Sequence, residues 1–236
     1  MTTPQHLAGN LLRVRESIAA ACGRARRDPR DVTMVAVTKT ASVEAIRALV
    51  DLGVDDLGES RVQQLQERAA ELAALPGRAV RWHMIGHLQR NKIKAVLDAG
   101  VESFHSVDSL RLAEELNERA ERMGKRLSLM IQVNCSREPQ KFGVAVGAAT
   151  FLAEMLASLK HVRLTGLMTM GPLSDDPEAS RPSFARLREL MDDMHRDGIG
   201  GPELRHLSMG MSHDHAVAIE EGATIVRIGS ALFAGC

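Results

Sequence analysis

The sequence predicts a single α/β domain over residues 1–236, a (β/α)8 barrel with an extra helix before the first strand. Apolar, β-branched runs typical of buried strands alternate with amphipathic helical stretches along the whole chain, giving eight strands. The length of 236 residues is one that such barrels commonly occupy as one domain, and no change in composition marks a boundary. A doubly wound parallel sheet is the competing architecture.

The elements follow one another in a regular order. An N-terminal helix is predicted over 5–24 from apolar residues spaced by three and four, and Asp28-Pro29 ends it. The eight strands are predicted at 32–38, 55–58, 80–85, 101–106, 127–133, 162–167, 204–207 and 224–228. The intervening helices are predicted from the Ser42 N-cap to Gly53, from Val62 to Leu75 before Pro76-Gly77, and at 89–98, 109–123, 147–159, 180–196 and 213–221. A short helical segment can follow the last strand, and 171–182 is predicted to be a mobile loop over the barrel mouth.

Composition excludes several classes of function. Thirty basic and thirty acidic residues give no net charge, so the chain lacks the electrostatic footprint of a protein that binds nucleic acid or anionic membranes. No apolar run approaches the ~20 residues that a membrane span needs. The three cysteines are far apart and form no CxxC, which fits a reducing cytosol. We therefore expect a cytoplasmic protein.

The first strand ends in a lysine, Lys39. Alternation along the strand places Val35, Val37 and Lys39 on one face. In a parallel barrel the carboxyl end of a strand lies at the rim where chemistry is placed, and a lysine amine there can react with a carbonyl group. The alternative is a lysine that extends from the strand end into water.

Small residues follow strands 7 and 8. Gly210 and Ser212 lie after strand 7, and Gly229 and Ser230 lie after strand 8. Barrel enzymes often bind phosphate in these two loops, where backbone N–H groups can approach phosphate oxygens. The pair of loops predicts a phosphate site. The alternative is that Ser212 caps the following helix and Gly229 is a plain turn.

Arg227 lies on the same strand face as Ile225, which we place inside the barrel. An interior arginine is costly unless it has a polar partner. A ring nitrogen of a ligand is one such partner. A salt bridge to Glu59 or Asp214 is the alternative.

Two other groups of residues are weaker indications. His213-Asp214-His215, with His83 and His87, resembles a set of metal ligands but lacks zinc-like spacing, so no metal is expected. Cys135 follows strand 5 without an evident base and is interpreted as a buried residue without a chemical role.

Together, a strand-1 lysine, two phosphate loops and a strand-8 arginine describe a pyridoxal 5′-phosphate (PLP) site, and the chain resembles the YggS/PROSC family of PLP homeostasis proteins. The resemblance runs through most of the chain. The matching segments are 36–39, Gly58-Glu59 with Val62-Gln63, 82–89 with Asn91-Lys92, 138–143, 166–168, 207–214 and 226–230.

The resemblance implies a barrel of the alanine racemase N-terminal domain type that binds PLP. It implies Lys39 as the Schiff-base lysine, Arg227 facing the pyridine nitrogen, and phosphate held around Ser212, Gly229 and Ser230. The other residues expected at the cofactor are Ser60, where the family commonly has Asn, together with His83 and Met209.

The implied role is intracellular vitamin B6 homeostasis, in which a monomer holds PLP and delivers it to apo forms of PLP-dependent enzymes. Lys141, in the loop 138–143, is a candidate transient acceptor of the cofactor if its side chain is free to swing. The alternative is a PLP-dependent racemase or decarboxylase. The chain has no tyrosine, which racemisation of the alanine racemase kind uses opposite the lysine. An aldolase-like barrel using Lys39 is a weaker third interpretation, because it gives Arg227 no role.

Overall fold

The computed structural model describes residues 3–73 and 79–236 as a closed eight-stranded barrel surrounded by helices. The strands are β1 Thr33–Val37, β2 Asp56–Glu59, β3 Arg81–Met84, β4 Ser103–Val107, β5 Leu127–Gln132, β6 Val162–Met168, β7 His206–Met211 and β8 Ile225–Ile228. The helices are α1 Thr3–Arg24, α2 Val43–Asp51, α3 Val62–Ala73, α4 Ile93–Asp98, α5 Leu110–Arg122, α6 Val146–Leu156, α7 Arg181–Arg196 and α8 His215–Glu220. Short 3-10 helices lie at Pro29–Asp31, Arg90–Lys92 and Pro177–Ser180.

The strand order confirms the predicted (β/α)8 barrel and excludes the doubly wound sheet. Neighbouring strands in the chain are neighbours in the sheet, all pairs are parallel, and β1 closes the barrel against β8. In that last pair Ala36 is opposite Ile228. The ends of β1 and β8 therefore lie side by side at one rim, where Lys39 and Gly229 follow them.

Three predictions differ most from the structure. Strand 7 was predicted at 204–207 but runs from His206 to Met211. Its second half presents Ser208 and Gly210, which do not give the apolar signal of a buried strand. The segment 171–182 is more regular than predicted, because it contains the helix Pro177–Ser180 and the start of α7. After β8 the chain forms turns instead of a helix. Leu75 and Pro76-Gly77, predicted to end the third helix, lie outside the described residues.

The side chains of the strands form two separate apolar groups. The large core lies between the barrel and its helices and includes Ala36, Leu129 and Met209. A small cluster lies inside the barrel and consists of the buried side chains of Val35, Met130, Met168 and Ile225, with Met170 packed against it. Ile225 therefore faces inward as predicted, and so does Arg227 two residues later on β8.

The N-terminal helix is fixed to the C-terminal turns. The buried Asn10 side-chain amide of α1 donates to the carbonyl oxygens of Leu232 and Ala234, at 2.8 and 2.9 Å. On the same helix Ser17 Oγ is hydrogen bonded to His215 Nε2 of α8 at 2.9 Å. These contacts hold the segments that follow β7 and β8. Among the described helices, including α1, none combines the length and apolar character needed to cross a membrane.

Candidate cofactor site at the carboxyl rim of the barrel

Lys39 lies in an exposed turn directly after β1. The turn is closed by a backbone hydrogen bond from Ala41 N to Thr38 O at 2.9 Å. Thr38 is buried, so the chain emerges from the barrel wall immediately before the lysine. The Lys39 side chain therefore starts at the rim, from a short turn whose backbone is held in place.

A buried ion pair holds both sides of this turn. Glu59, at the end of β2, is fully buried and forms a salt bridge with Arg68 of α3. The same carboxylate oxygen accepts a hydrogen bond from the Thr38 hydroxyl, and Arg68 Nη2 donates to Ala41 O at 3.0 Å. Residues on either side of Lys39 are therefore anchored to one carboxylate–guanidinium pair.

The loops after β7 and β8 meet at Ser212. Its Oγ accepts hydrogen bonds from the backbone N–H groups of Gly229 at 3.1 Å and Ala231 at 3.2 Å. Two backbone amides of the loop after β8 therefore converge on one oxygen of the loop after β7. Ser230, between them, is exposed. Ser212 does not cap α8, whose N-cap residue is Asp214, so the alternative interpretation of this serine is wrong.

Gly229 lies close to β1. A Cβ at residue 229 would lie only 3.2 Å from Val37 O and 3.3 Å from Val37 Cβ. Any larger residue would push the loop after β8 away from β1, the strand that precedes Lys39. The lysine turn and the amides that meet at Ser212 therefore share one small region of the rim.

Asp214 holds the loop after β7, which carries Ser212. Its two carboxylate oxygens accept from Met211 N at 2.7 Å and Ser180 Oγ at 2.8 Å. One oxygen is engaged by the end of β7 and the other by Ser180, the last residue of the 3-10 helix Pro177–Ser180. Asp214 is therefore a structural residue of the loop that carries Ser212.

Arg227 faces into the barrel and is 4 % exposed. Its Nη1 donates to Ser208 Oγ at 2.8 Å and its Nη2 to Thr169 O at 3.0 Å. Burial lowers the pKa of its guanidinium to about 10, against the charge of Asp214, so it remains a cation at neutral pH. Among the described residues no salt bridge to Glu59 or Asp214 forms, since Glu59 pairs with Arg68. The guanidinium retains N–H groups that these two bonds do not use.

His83 is placed deeper than a residue of the rim. Its Nδ1 lies 3.0 Å from His105 Nε2, and its Nε2 lies 3.0 Å from Asp56 Oδ1 at the beginning of β2. His105 Nδ1 in turn lies 2.9 Å from Ser208 Oγ. Both ring nitrogens of His83 are hydrogen bonded inside the barrel. Its role at the cofactor therefore stays a prediction, and it would act through other residues instead of touching the cofactor.

The charge states of His105 and Asp56, at either side of His83, are set by their surroundings. Burial holds the pKa of His105 well below the ordinary value, and the nearby His83, Arg227 and His206 lower it further. Burial alone would raise the pKa of Asp56, but hydrogen bonds from His83 and Arg81 bring it well below its usual range. His105 is therefore neutral and Asp56 ionised near neutral pH.

A dependence of stability on pH follows from His105. Its pKa is lowered in the folded protein, so below pH about 6.5 the unfolded chain binds a proton that the folded chain does not. Folding stability should fall by up to about 1.4 kcal/mol for each pH unit below that value because of this group. Urea unfolding between about pH 7.5 and 5.5 measures the slope. His105→Gln should show a shallower slope than the unsubstituted chain, and an equal slope in both would contradict a neutral His105.

The other predicted contacts differ in position. Ser60 is half-buried after β2, where a Cβ on the neighbouring Gly86 would lie 2.3 Å from Ser60 O, so the loops after β2 and β3 touch through backbone. The Met209 side chain is fully buried in the large core outside the barrel. This places the side chain away from the barrel interior, so a side-chain contact with the cofactor is not supported.

Lys141 is held in place. Its Nζ donates to Gly171 O at 2.6 Å and forms an ion pair with Glu138. The prediction of a freely swinging side chain is therefore wrong for this conformation, because the loop after β5 supplies a counterion three residues away. Beside it, Phe142 stacks on His87 with ring centroids 4.3 Å apart.

The histidines that suggested a metal site are dispersed. His213 is exposed, and His215 is bound to Ser17 Oγ and Met211 O. Among residues 3–73 and 79–236, no three His, Cys, Asp or Glu side chains lie close enough together to hold a metal ion. Cys135 is buried, and burial raises the pKa of its thiol, which makes it a poor nucleophile.

Taken together, the rim has the features of one class of protein: a (β/α)8 barrel with an accessible lysine after β1, two amides after β8 that converge on a serine after β7, and a buried arginine on β8. Comparison with known sequences agrees with this class. Residues 10–235 match the sequence model of the family described as "Alanine racemase, N-terminal domain".

More specific relatives extend over the same length. A protein of Aquifex aeolicus (strain VF5) named "Pyridoxal phosphate homeostasis protein" is 42% identical over 223 residues, covering 94% of this chain and 95% of its own. A crystal structure of an unknown protein from Bifidobacterium adolescentis is 35% identical with a TM-score of 0.89, covering 98% of this chain and 95% of that one. The structure of PipY from Synechococcus elongatus PCC7942 with PLP bound is 33% identical with a TM-score of 0.78, covering 92% and 99%. The chain belongs to the family of pyridoxal phosphate homeostasis proteins within the alanine racemase N-terminal domain group.

Proposed function

We propose that this protein binds PLP covalently through Lys39 and takes part in intracellular PLP homeostasis as a carrier. The observation that carries the proposal is the juxtaposition of the lysine turn with the two loops that meet at Ser212. Gly229, which lies within contact distance of Val37, joins the two features. PipY, a relative over nearly the whole chain, is a protein whose structure has PLP bound.

The residues present fit the chemistry of PLP. When bound, PLP supplies an aldehyde that a lysine amine can capture, a phosphate, and a pyridine ring. Lys39 offers an exposed amine, and the hydroxyls of Ser212 and Ser230 offer donors to phosphate. The amides of Gly229 and Ala231 converge on the Ser212 hydroxyl oxygen, and a phosphate oxygen taking the place of that oxygen would accept from both. Arg227 offers unused N–H groups from a buried guanidinium.

Arg227 supports a carrier over an enzyme. A guanidinium that keeps its proton does not protonate the pyridine nitrogen, so the ring is a weaker electron sink. The chain also contains no tyrosine to act as a second acid or base opposite Lys39. The names of the relatives fit a non-catalytic role. Both points weigh against the racemase or decarboxylase alternative.

The recipients of the cofactor would be apo forms of PLP-dependent enzymes, and we propose that the carrier acts as a cytoplasmic monomer. The buried thiols of Cys22 and Cys135, which form no disulfide, fit a reducing compartment. Lys141, with its amine on Gly171 O, can serve delivery only if its ion pair with Glu138 opens.

A transfer experiment tests the carrier role. Protein loaded with PLP and freed of excess is mixed with an apo-enzyme, and the recovered enzyme activity is followed with and without a membrane that blocks protein contact. The carrier should restore activity and should not itself convert amino acids under the same conditions. Steady turnover of alanine, ornithine or lysine by the loaded protein would contradict the carrier and support the enzyme alternative.

The phosphate loops give a separate prediction. In Ser212→Ala/Ser230→Ala, retention of PLP should weaken because charge-assisted hydrogen bonds to phosphate contribute about 1.5–3 kcal/mol each. Retention of pyridoxal, which has no phosphate, should change little. The measurement is the equilibrium dissociation of each vitamer from wild type and variant. Equal binding of pyridoxal and PLP by the wild type would show that these loops hold no phosphate.

A further inference from the structure

Five polar side chains form a continuous line of hydrogen bonds through the barrel. Arg227 Nη1 lies 2.8 Å from Ser208 Oγ, which lies 2.9 Å from His105 Nδ1. His105 Nε2 lies 3.0 Å from His83 Nδ1, and His83 Nε2 lies 3.0 Å from Asp56 Oδ1. The line begins on β8 beside the proposed ring site and ends at the start of β2, at the opposite rim.

The two ends of the line fix the direction of its hydrogen bonds. A guanidinium only donates and a carboxylate only accepts. With both histidines neutral, every contact is satisfied when Ser208 donates to His105, His105 to His83, and His83 to Asp56. Each histidine then carries its proton on Nε2. All hydrogens point from the cation at one rim towards the anion at the other.

This line is an unusual use of the barrel interior. Several other inward positions are apolar, as with Val35, Met130, Met168 and Ile225. Replacing buried polar groups by apolar residues of similar volume is often neutral or stabilising, so stability alone gives little reason for two histidines and a serine here. Their common feature is that they lead to Arg227.

We propose that Ser208, His105 and His83 are positioning residues that orient the guanidinium of Arg227 towards the ring site, with the Asp56 carboxylate as their terminal acceptor. Ser208 holds Nη1 while Thr169 O holds Nη2, so the plane of the guanidinium is fixed at two points. The group that the guanidinium faces, the ring of PLP, rests on the proposed function. The orientation of the guanidinium by these residues does not depend on it.

Nuclear magnetic resonance of the ligand-free protein tests the line directly. In ¹⁵N spectra His83 and His105 should both be neutral with the proton on Nε2, and the Nη–H signals of Arg227 should be resolved because rotation is restricted. Ser208→Ala should remove the donor to His105 Nδ1, shift the signals of both groups and broaden those of Arg227. Unchanged His105 and Arg227 signals in this variant, or the Nδ1–H form of either histidine in the wild type, would overturn the proposal.

The loaded protein gives a second, independent readout. Ser208→Ala should release PLP faster by on the order of fivefold, the effect of one lost hydrogen bond, and should shift the absorption maximum of bound PLP. Ser208→Thr keeps the hydroxyl on a strand-compatible residue and should restore both. Ser183→Ala, a buried serine of α7 outside the line, is the matched control and should behave as wild type. Equal release rates and spectra for Ser208→Ala and wild type would overturn the proposal.

A variant at Asp56, the other end of the line, tests the proposal even if Ser208→Ala does not fold. Asp56→Asn keeps the size of a side chain that is 15 % exposed, removes its charge, and with it the ion pair with Arg81. The His83 and Arg227 signals should both shift, whereas a shift confined to His83 would overturn a connection to Arg227. If wild-type protein takes up no PLP on Lys39, the proposed function fails, and the ligand-free spectra still decide whether the line orients Arg227.

Discussion

Replacing Lys39 by alanine should abolish covalent retention of PLP while the barrel remains folded. The side chain lies in an exposed turn, so its removal leaves no cavity and breaks no contact of the barrel core. The phosphate loops remain, so the variant should still bind PLP reversibly. After exhaustive dialysis, wild type should keep the visible absorbance of the bound cofactor and Lys39→Ala should keep none.

Two control variants make this result specific to Lys39. Lys94→Ala removes an exposed amine of α4 that pairs with Asp98, and it should retain PLP as wild type does. Lys141→Ala removes another lysine near the rim, whose amine is bound to Gly171 O. Full retention in Lys39→Ala together with loss in Lys141→Ala would move the covalent attachment to Lys141.

The second large effect is expected at the ion pair that anchors the lysine turn. Arg68→Leu leaves the Glu59 carboxylate, which is fully buried, without its cationic partner. Breaking a buried pair in this way typically costs about 3–5 kcal/mol of folding stability. It also removes the hydrogen bond to Ala41 O, so the Lys39 turn should become looser and release PLP faster. The free energy of unfolding in urea and the release rate measure the two effects.

Two comparisons separate this effect from a general cost of losing an arginine. Arg24→Leu breaks the pair with Glu220 between α1 and α8, where Arg24 is 55% exposed, and should cost at most about 1 kcal/mol. The double variant Arg68→Leu/Glu59→Leu removes both buried charges and should recover part of the stability. A cost for Arg68→Leu no larger than that for Arg24→Leu would contradict the anchoring role.

The fold could be predicted from the sequence because a barrel repeats one local pattern. Each strand packs its outer face on helices, so apolar residues such as Leu129 and Ala36 mark the strands. The pattern fails where the inward face is polar. Ser208 and Gly210 hid the second half of β7, which was therefore predicted too early and too short.

The rim residues were predictable for a related reason. In a barrel a residue that directly follows a strand must lie at the rim, so Lys39, Ser212 and Gly229 could be placed from their position in the chain. The buried partners could not. Arg68 follows Glu59 by nine residues in a helix, and nothing in its local sequence indicates that it turns inward to the Glu59 carboxylate.

The line of hydrogen bonds below Arg227 was missed because it joins five different strands. His83 was expected at the cofactor itself, and His105 was given no role. A signal was present in the alternation: His83, Ser208 and Arg227 each stand between outward-facing apolar residues of their strands, and His105 follows one, Phe104. Only the closure of the barrel, with its register, shows that these side chains meet in one line.

Borohydride reduction of the PLP-loaded wild-type protein, followed by peptide mass spectrometry, tests the central claim most directly. Reduction turns a lysine–PLP bond into a stable amine, which marks the residue that held the cofactor. The account predicts one label per chain, on the peptide that contains Lys39, and its absence when PLP is replaced by pyridoxine phosphate, which has no aldehyde. A label on any other lysine, or no label on protein shown to contain PLP, would contradict it.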